Sequence, residues 1–392
     1  LIEQKKGKSM SLSLVAVLVL VAGVAWIFLK QPSKGGGAGN ASAPRTPPPS
    51  VPRAAAPQPT APAPAQAALA VQAGNRGEMP SELSTLHLAT SSELDPARFS
   101  QLVAHLSEIR RPPQSLHKLV SAEFLAQASS AQLSDLVMVE PELAANVLAT
   151  VNSPLYGLSR PVSSVGQATT YIGTTAVRNI CLQYLLSASF VATTPRLKRL
   201  YDETWNASVL ASELCFKLAQ SLRLPDTGEL TTRVLLSFIG RFATYSLLPE
   251  EVAVRSWNAT FVESVQIEQE HLGLSAAALG GLLMQSWGVP EGLIHGVHQM
   301  ECVVVTPWSA ANTDEGARAA LCYACARLGE RLSNGSLQAL KDFAFDDTAG
   351  ADFYHMTGYL AHPSLSKLSQ LIRLPEVVNS IQDMSEAMRL RR

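Results

Sequence analysis

Charge is what this chain has least of. Lysine, arginine, aspartate and glutamate make up 16% of its 392 residues, against roughly 25% in an ordinary soluble domain. The two signs also cancel, 31 basic residues against 32 acidic, for a formal net charge of -1. That removes the global electrostatic pull that marks nucleic-acid-binding chains, and no nucleic-acid partner is expected. Cysteine is scarce too: Cys181, Cys215, Cys302, Cys322 and Cys325 form an odd, scattered set, which is no disulfide framework. Alternating apolar runs bounded by two-residue Gly or Asn turns are missing, so strands are not expected. No GGDEF, Walker or Gly-x-Ser-x-Gly string occurs, so no output domain or hydrolase of those types is expected.

One long uncharged run is present. After a short tail (residues 1–9), Met10–Leu29 reads "MSLSLVAVLVLVAGVAWIFL". As a helix rising about 1.5 Å per residue it would span roughly 30 Å, the thickness of a bilayer core. Trp26 falls near one end and Lys30 closes the run, as interfacial anchors do. The apolar core of a cleaved signal peptide is shorter, about 7–15 residues, and the cleavage-like "GNASA" at Gly39–Ala43 lies too far downstream. The run is therefore read as a transmembrane helix. Its orientation stays open, because Lys5, Lys6 and Lys8 on one side are matched by Lys30, Lys34, Arg45 and Arg53 on the other.

Residues 30–89 follow as a linker. Between Gln31 and Ala70, 29 of 40 residues are Ala, Pro, Gly or Ser, ten of them proline. Such a composition buries too little apolar surface to offset ordering entropy. The segment is expected to be a disordered tether reaching on the order of 100 Å.

From Thr90 the pattern is helical nearly throughout. Asp95 and Pro96 open one helix, which stops before Pro112–Pro113. Two short amphipathic helices are expected on either side of Ser129–Ser130. Pro141 occupies a first helical position with Glu142 at the positive end of the dipole; Leu143, Val147 and Val151 form the apolar stripe. Asn152-Ser153-Pro154 stops that helix, and Tyr156-Gly157 and Pro161 mark a loop. "RVLLSFIGRFATYSLL" (233–248) reads as one helix buried on most sides.

These segments are similar to a known family. "EPELAANVLATVNSPLYG" followed by "VSSVGQATTYIGTTAVRNICL" resembles the hallmark of HDOD domains, all-helical bacterial signalling modules related to the HD-type metal phosphohydrolases. The hallmark is an acid-Pro-x-Leu helix, an Asn-Ser turn with Tyr-Gly, and a helix closing on Leu-Gly. Here Pro141, Leu143, Asn152, Ser153, Tyr156, Gly157 and Gly173 carry it, with Glu140 where Asp is commoner and Ile172 where Leu is. The likeness runs from about Arg111 to Glu301. It implies an all-α, multi-helix HDOD/HD-like bundle over residues 90–301. Beyond it "NTDEGARAALCYACARLGERL" reads as an amphipathic helix with Ala317, Leu321, Ala324 and Leu328 on one stripe, and residues 302–392 are expected to pack on the bundle as a C-terminal helical extension.

The resemblance also implies where a hydrolase would keep its ligands. In the catalytic relatives a His follows a helix Trp by two residues, a position held here by Ala207. The namesake His-Asp pair maps to Ser237 and Phe238 in "LLSFIG", a further His to Ala276, and a closing His pair to the region of Met300–Glu301. A divalent metal needs imidazole and carboxylate donors, and these residues offer almost none. Neither a metal nor a cofactor is expected, and the chain is expected not to be an enzyme.

Other constellations carry less. His295 and His298 stand three residues apart, with Glu301 or His271 as the only third ligand in reach. They support a rival reading as a degenerate phosphohydrolase. Cys322 and Cys325 form a C-x-x-C without a second pair and read as small buried helix residues. Asp346–Asp347 lacks EF-hand spacing, and the terminal "RLRR" has fewer basic residues than the clusters of about 4–8 that hold anionic lipids. The expected function is a non-catalytic, membrane-anchored bacterial signalling module at the inner membrane, its globular part cytoplasmic and its partners other proteins. A periplasmic helical scaffold is the third reading.

Overall fold

The computed structural model describes residues 78–127, 129–309, 313–346 and 349–389. The tail at 1–9, the expected membrane span at 10–29 and most of the linker lie outside the described residues. Among the described residues no helix is long and apolar enough to cross a membrane, and no strand occurs.

Several helices begin where a side chain satisfies free N–H groups of the first turn. Helix α1 is Ser81–Ser84. In α2 (Pro96–Glu108) Pro96 is the first residue and Asp95 accepts from the backbone N–H of Ala97 and Arg98. Three short helices follow instead of the expected two: α3 (Ser115–Leu119), α4 (Ala122–Gln127) and α5 (Ser130–Met138). Ser129 and Gln132 close a reciprocal capping box on α5. Then come α6 (Pro141–Val151), α7 (Val165–Ile172) and α8 (Thr174–Ser187).

The long helix α9 (Pro195–Ser221) is the spine. The expected single helix at 233–248 is two: α10 (Thr227–Ser237) and α11 (Ile239–Leu247), divided at Phe238. The Phe238 N–H reaches back only three residues, to Leu235, and that tighter turn interrupts the ladder. Next are α12 (Glu250–Asn258), α13 (Phe261–Leu272), α14 (Ala276–Ser286) and α15 (Glu291–Val305). The chain ends in α16 (Asp314–Asn334), the short α17 (Met356–Tyr359) and α18 (Leu368–Leu371), and α19 (Pro375–Arg389).

Two expected boundaries shift. Residues 80–89, read as the end of the linker, are seated on the bundle. Leu83 is buried, the Ala89 N–H donates to Gln269, and Gln269 donates back to the His87 carbonyl. Leu83 and Leu86 give this stretch apolar surface that the Pro/Ala run lacks. The boundary at 301 cuts through α15, and the "extension" beyond it supplies a central element. Helix α16 makes the most extensive helix pairing among the described residues, with α9, and also packs on α10 and α15. Its Ala317, Leu321, Ala324 and Leu328 are buried as the sequence pattern implies, but so are Ala319, Tyr323, Arg327 and Glu330. It is buried on all sides, not on one.

Candidate functional site

The hallmark residues form a braced loop. Pro141 starts α6 and Leu143 is buried. At the far end of α6 the Asn152 amide donates to the Val162 carbonyl at 2.9 Å and accepts from the Val162 N–H at 2.7 Å. This two-way clasp closes residues 152–162 into a fixed loop. Ser153 donates to the Thr150 carbonyl at 2.6 Å. Gly157 lies at φ +56° and Gly173, between α7 and α8, at φ +85° and ψ 155°, a combination that only glycine adopts readily. Leu155 and Tyr156, at the loop tip, wall two clefts. One, of about 560 Å³, is floored by Trp205 and Val209 of α9 and edged by Met388. The other, of about 650 Å³, runs past Ile172 and Phe216 to Asp383 and Met384 of α19.

The positions to which the resemblance assigned hydrolase ligands are used for packing. Ala207 lies in the α9–α16 seam, where a Cβ added to Gly329 would meet its carbonyl oxygen at 2.6 Å. The Ser237 hydroxyl turns back to the Val234 carbonyl at 2.7 Å. The Phe238 ring and Met300 are buried. Ala276 faces Gly240, where a Cβ would stand 1.9 Å from the Ala276 oxygen, so α11 and α14 touch backbone to backbone.

These positions border a buried charge network that the sequence reading missed. Arg241, three residues past Phe238, donates to Glu268 at 2.6 Å, to Ser264, and to Glu330 at 3.3 Å. Glu268, 1% exposed, also accepts from the Ala276 N–H at 2.7 Å and from the hydroxyls of Ser264 and Ser256 at 2.9 and 3.2 Å. Glu330, the residue after Gly329, is shared with Arg327, whose guanidinium stands 4.5 Å from the Phe261 ring centre. Glu301, beside Met300, accepts from Ser275 at 3.0 Å.

Burial opposes the charge on Arg241, but Glu330 and Glu268 overcome it and hold its pKa above the ordinary value. Burial, and then the nearby Glu268, favour the neutral form of Glu301 and raise its pKa to about 7, against the hydrogen bond from Ser275. Two guanidiniums, of Arg241 and Arg327, balance the two carboxylates of Glu268 and Glu330, and a guanidinium supplies no Lewis acid. The signal in the sequence was one arginine in an otherwise apolar helix; its partners stand 27 and 89 residues further on.

The remaining candidates do not assemble. Glu301 is buried whereas His271, His295 and His298 are exposed, and the His271 ring is engaged by the Ile267 carbonyl. Partial desolvation and then His295 keep His298 below the usual imidazole value. Among the described residues no group of three His, Cys, Asp or Glu is placed to hold a metal ion. Cys322 and Cys325 are buried free thiols, brought against Cys215 across the α9–α16 seam. Asp347 and residues 390–392 lie outside the described residues.

With this geometry in place, residues 109–301 match the family model of the HDOD domain. That stretch is close to half of the chain and holds the braced loop. No curated protein matches the chain. Among solved structures it is similar to an HDOD domain protein of unknown function from Geobacter sulfurreducens, at 16% identity over 74% of this chain and 97% of that one, with a TM-score of 0.52. A protein from Shewanella amazonensis, provisionally named a phosphohydrolase, shares 17% identity over 73% of this chain and 97% of its own, with a TM-score of 0.49. A provisionally named signal transduction protein from Marinobacter aquaeolei shares 18% over 78% and 68%, with a TM-score of 0.48. The Geobacter likeness is one of fold alone.

Proposed function

We propose that this protein is a non-catalytic bacterial signalling module, anchored in the inner membrane by Met10–Leu29 and acting by binding other proteins. The observation that carries the reading is the Arg241–Glu268–Glu330 network bordering the positions where a hydrolase would keep its metal ligands. Hydrolysis by an HD-type centre needs a metal with a free position for water, and here Glu268 and Glu330 are consumed by internal ion pairs. What remains for function is surface, and the braced hallmark loop with its two clefts is the rigid feature that surface offers. The free cysteines fit a reducing compartment, so the globular part is assigned to the cytoplasm.

Two experiments test the reading. Purified full-length protein, assayed on a generic phosphodiester, is expected to show no turnover, and its His295→Ala/His298→Ala variant the same background. Turnover that disappears in the variant would establish the degenerate phosphohydrolase instead. For the membrane assignment, paired cytoplasmic and periplasmic reporters fused after Arg392 are expected to give the cytoplasmic signal. A periplasmic signal would make intracellular signalling untenable and favour the envelope scaffold.

A further inference from the structure

Helix α19 meets the bundle through one stripe. Val377, Ile381, Met384 and Met388 are buried, at positions separated by four, three and four residues. The intervening Asp383 and Glu386 are exposed. Its extensive contacts are with α9 and the turn at 340–342, whereas α16 is gripped by α9, α10, α15 and α17. Both edges of its seat are open. The cleft of about 650 Å³ lies along Ser380, Asp383 and Met384, and that of about 560 Å³ lies at Met388. Leu155 and Tyr156 of the hallmark loop wall both clefts, so α19 lies in a groove between that loop and α9.

We propose that this groove is a helix-docking surface, that α19 is its resident occupant, and that a partner's amphipathic helix with apolar side chains at the same spacing takes its place. The inference rests on the reading of the protein as a protein-binding module and names the surface and the partner's chemistry. The groove accepts a helix, because it already holds one. Recognition of an apolar i, i+4, i+7, i+11 stripe is the helix-in-groove mode, and two methionines in that stripe suit an exchangeable contact, since their unbranched chains adapt to different neighbours. Clefts at both edges allow an incoming helix to engage Leu155, Tyr156 and Val209 before α19 has left. Displacement then couples partner binding to release of the C-terminal helix.

The probe is the chain's own segment, a labelled peptide of sequence PEVVNSIQDMSEAMR, titrated into full-length protein and into full-length Ile381→Glu, which puts a charge at the centre of the stripe. The peptide is expected to bind the variant saturably and the unaltered protein at least about tenfold more weakly, because there the groove is filled. Equal binding to both, or none to a variant that retains its helical spectrum and cooperative unfolding, would overturn the proposal. Native-state hydrogen exchange on the unaltered protein gives a second reading that needs no variant. Amides of α19 are expected to exchange through a local opening well before those of α16, and exchange of both only on global unfolding would also overturn it. Neither assay uses an external partner. Hydrolase activity would sink the functional reading and leave this result standing, and failure here would leave a non-catalytic module that binds elsewhere.

Discussion

Helix α9 faces two neighbours, and the two contacts are built on different principles. Toward α16 it presents Ala207, Ala211 and Cys215, and Gly329 lets the backbones approach so closely that a Cβ would lie 2.6 Å from both the Ala207 oxygen and the Ala211 methyl. Arg327 and Glu330 of α16 join Arg241 in the buried ion-pair network. Toward α19 it meets long, adaptable side chains, with an open cleft at each edge of the contact. Small residues with a fixed ion-pair network give one arrangement that tolerates no change; methionines over a groove give one that can be exchanged. The first contact includes Ala207 and lies deep in the bundle, and the second lies beside the braced loop at 152–162.

Substitutions break that contrast in order of size. Arg241→Met leaves Glu268 buried without its cation and Glu330 with Arg327 alone, and is expected to cost about 3–5 kcal/mol in urea unfolding. Gly329→Ala forces α9 and α16 apart and is expected to cost about 3 kcal/mol, whereas Gly292→Ala, where an added Cβ meets nothing within 4 Å, is expected to leave stability unchanged or slightly raised. On the other face Ile381→Ala is expected to cost about 2 kcal/mol, the low end for a buried aliphatic residue. That loss is expected to appear as faster exchange in α19 with little change in α16.

The smallest effect sharpens the contrast through pH. The Glu301 pKa is raised from 4.5 to about 7, so between those values the folded protein holds a proton that the unfolded chain releases. Its contribution is fully present below the unfolded value and is lost as pH rises toward 7. Glu301→Gln is therefore expected to match the parent near pH 4 and to unfold a few degrees higher at pH 8. A Tm difference independent of pH would remove Glu301 from the account.

What could be read in advance was local. Pro141, Asn152, Ser153, Gly157 and Gly173 act through their own backbone or on a partner within ten residues, as in the Asn152–Val162 clasp, and their roles are written in short spacings. The charge network was not legible, because Arg241 meets Glu330 only after 89 residues of chain have folded back. A single arginine among apolar residues gives no partner to look for. Arg327, Glu330 and Arg331 made α16 look amphipathic; that two of these three are buried depends on Arg241 and Phe261 arriving from elsewhere. The end of the linker was misplaced because Leu83 and Leu86 are too few to signal a helix, yet sufficient to seat a segment on a bundle already formed.

The most direct measurement is the metal content per chain of full-length protein, purified without chelator and analysed by inductively coupled plasma spectrometry. The account predicts no stoichiometric transition metal, because Glu268 and Glu330 are already neutralised by Arg241 and Arg327. One or two tightly held ions per chain, released together with a loss of stability, would contradict it.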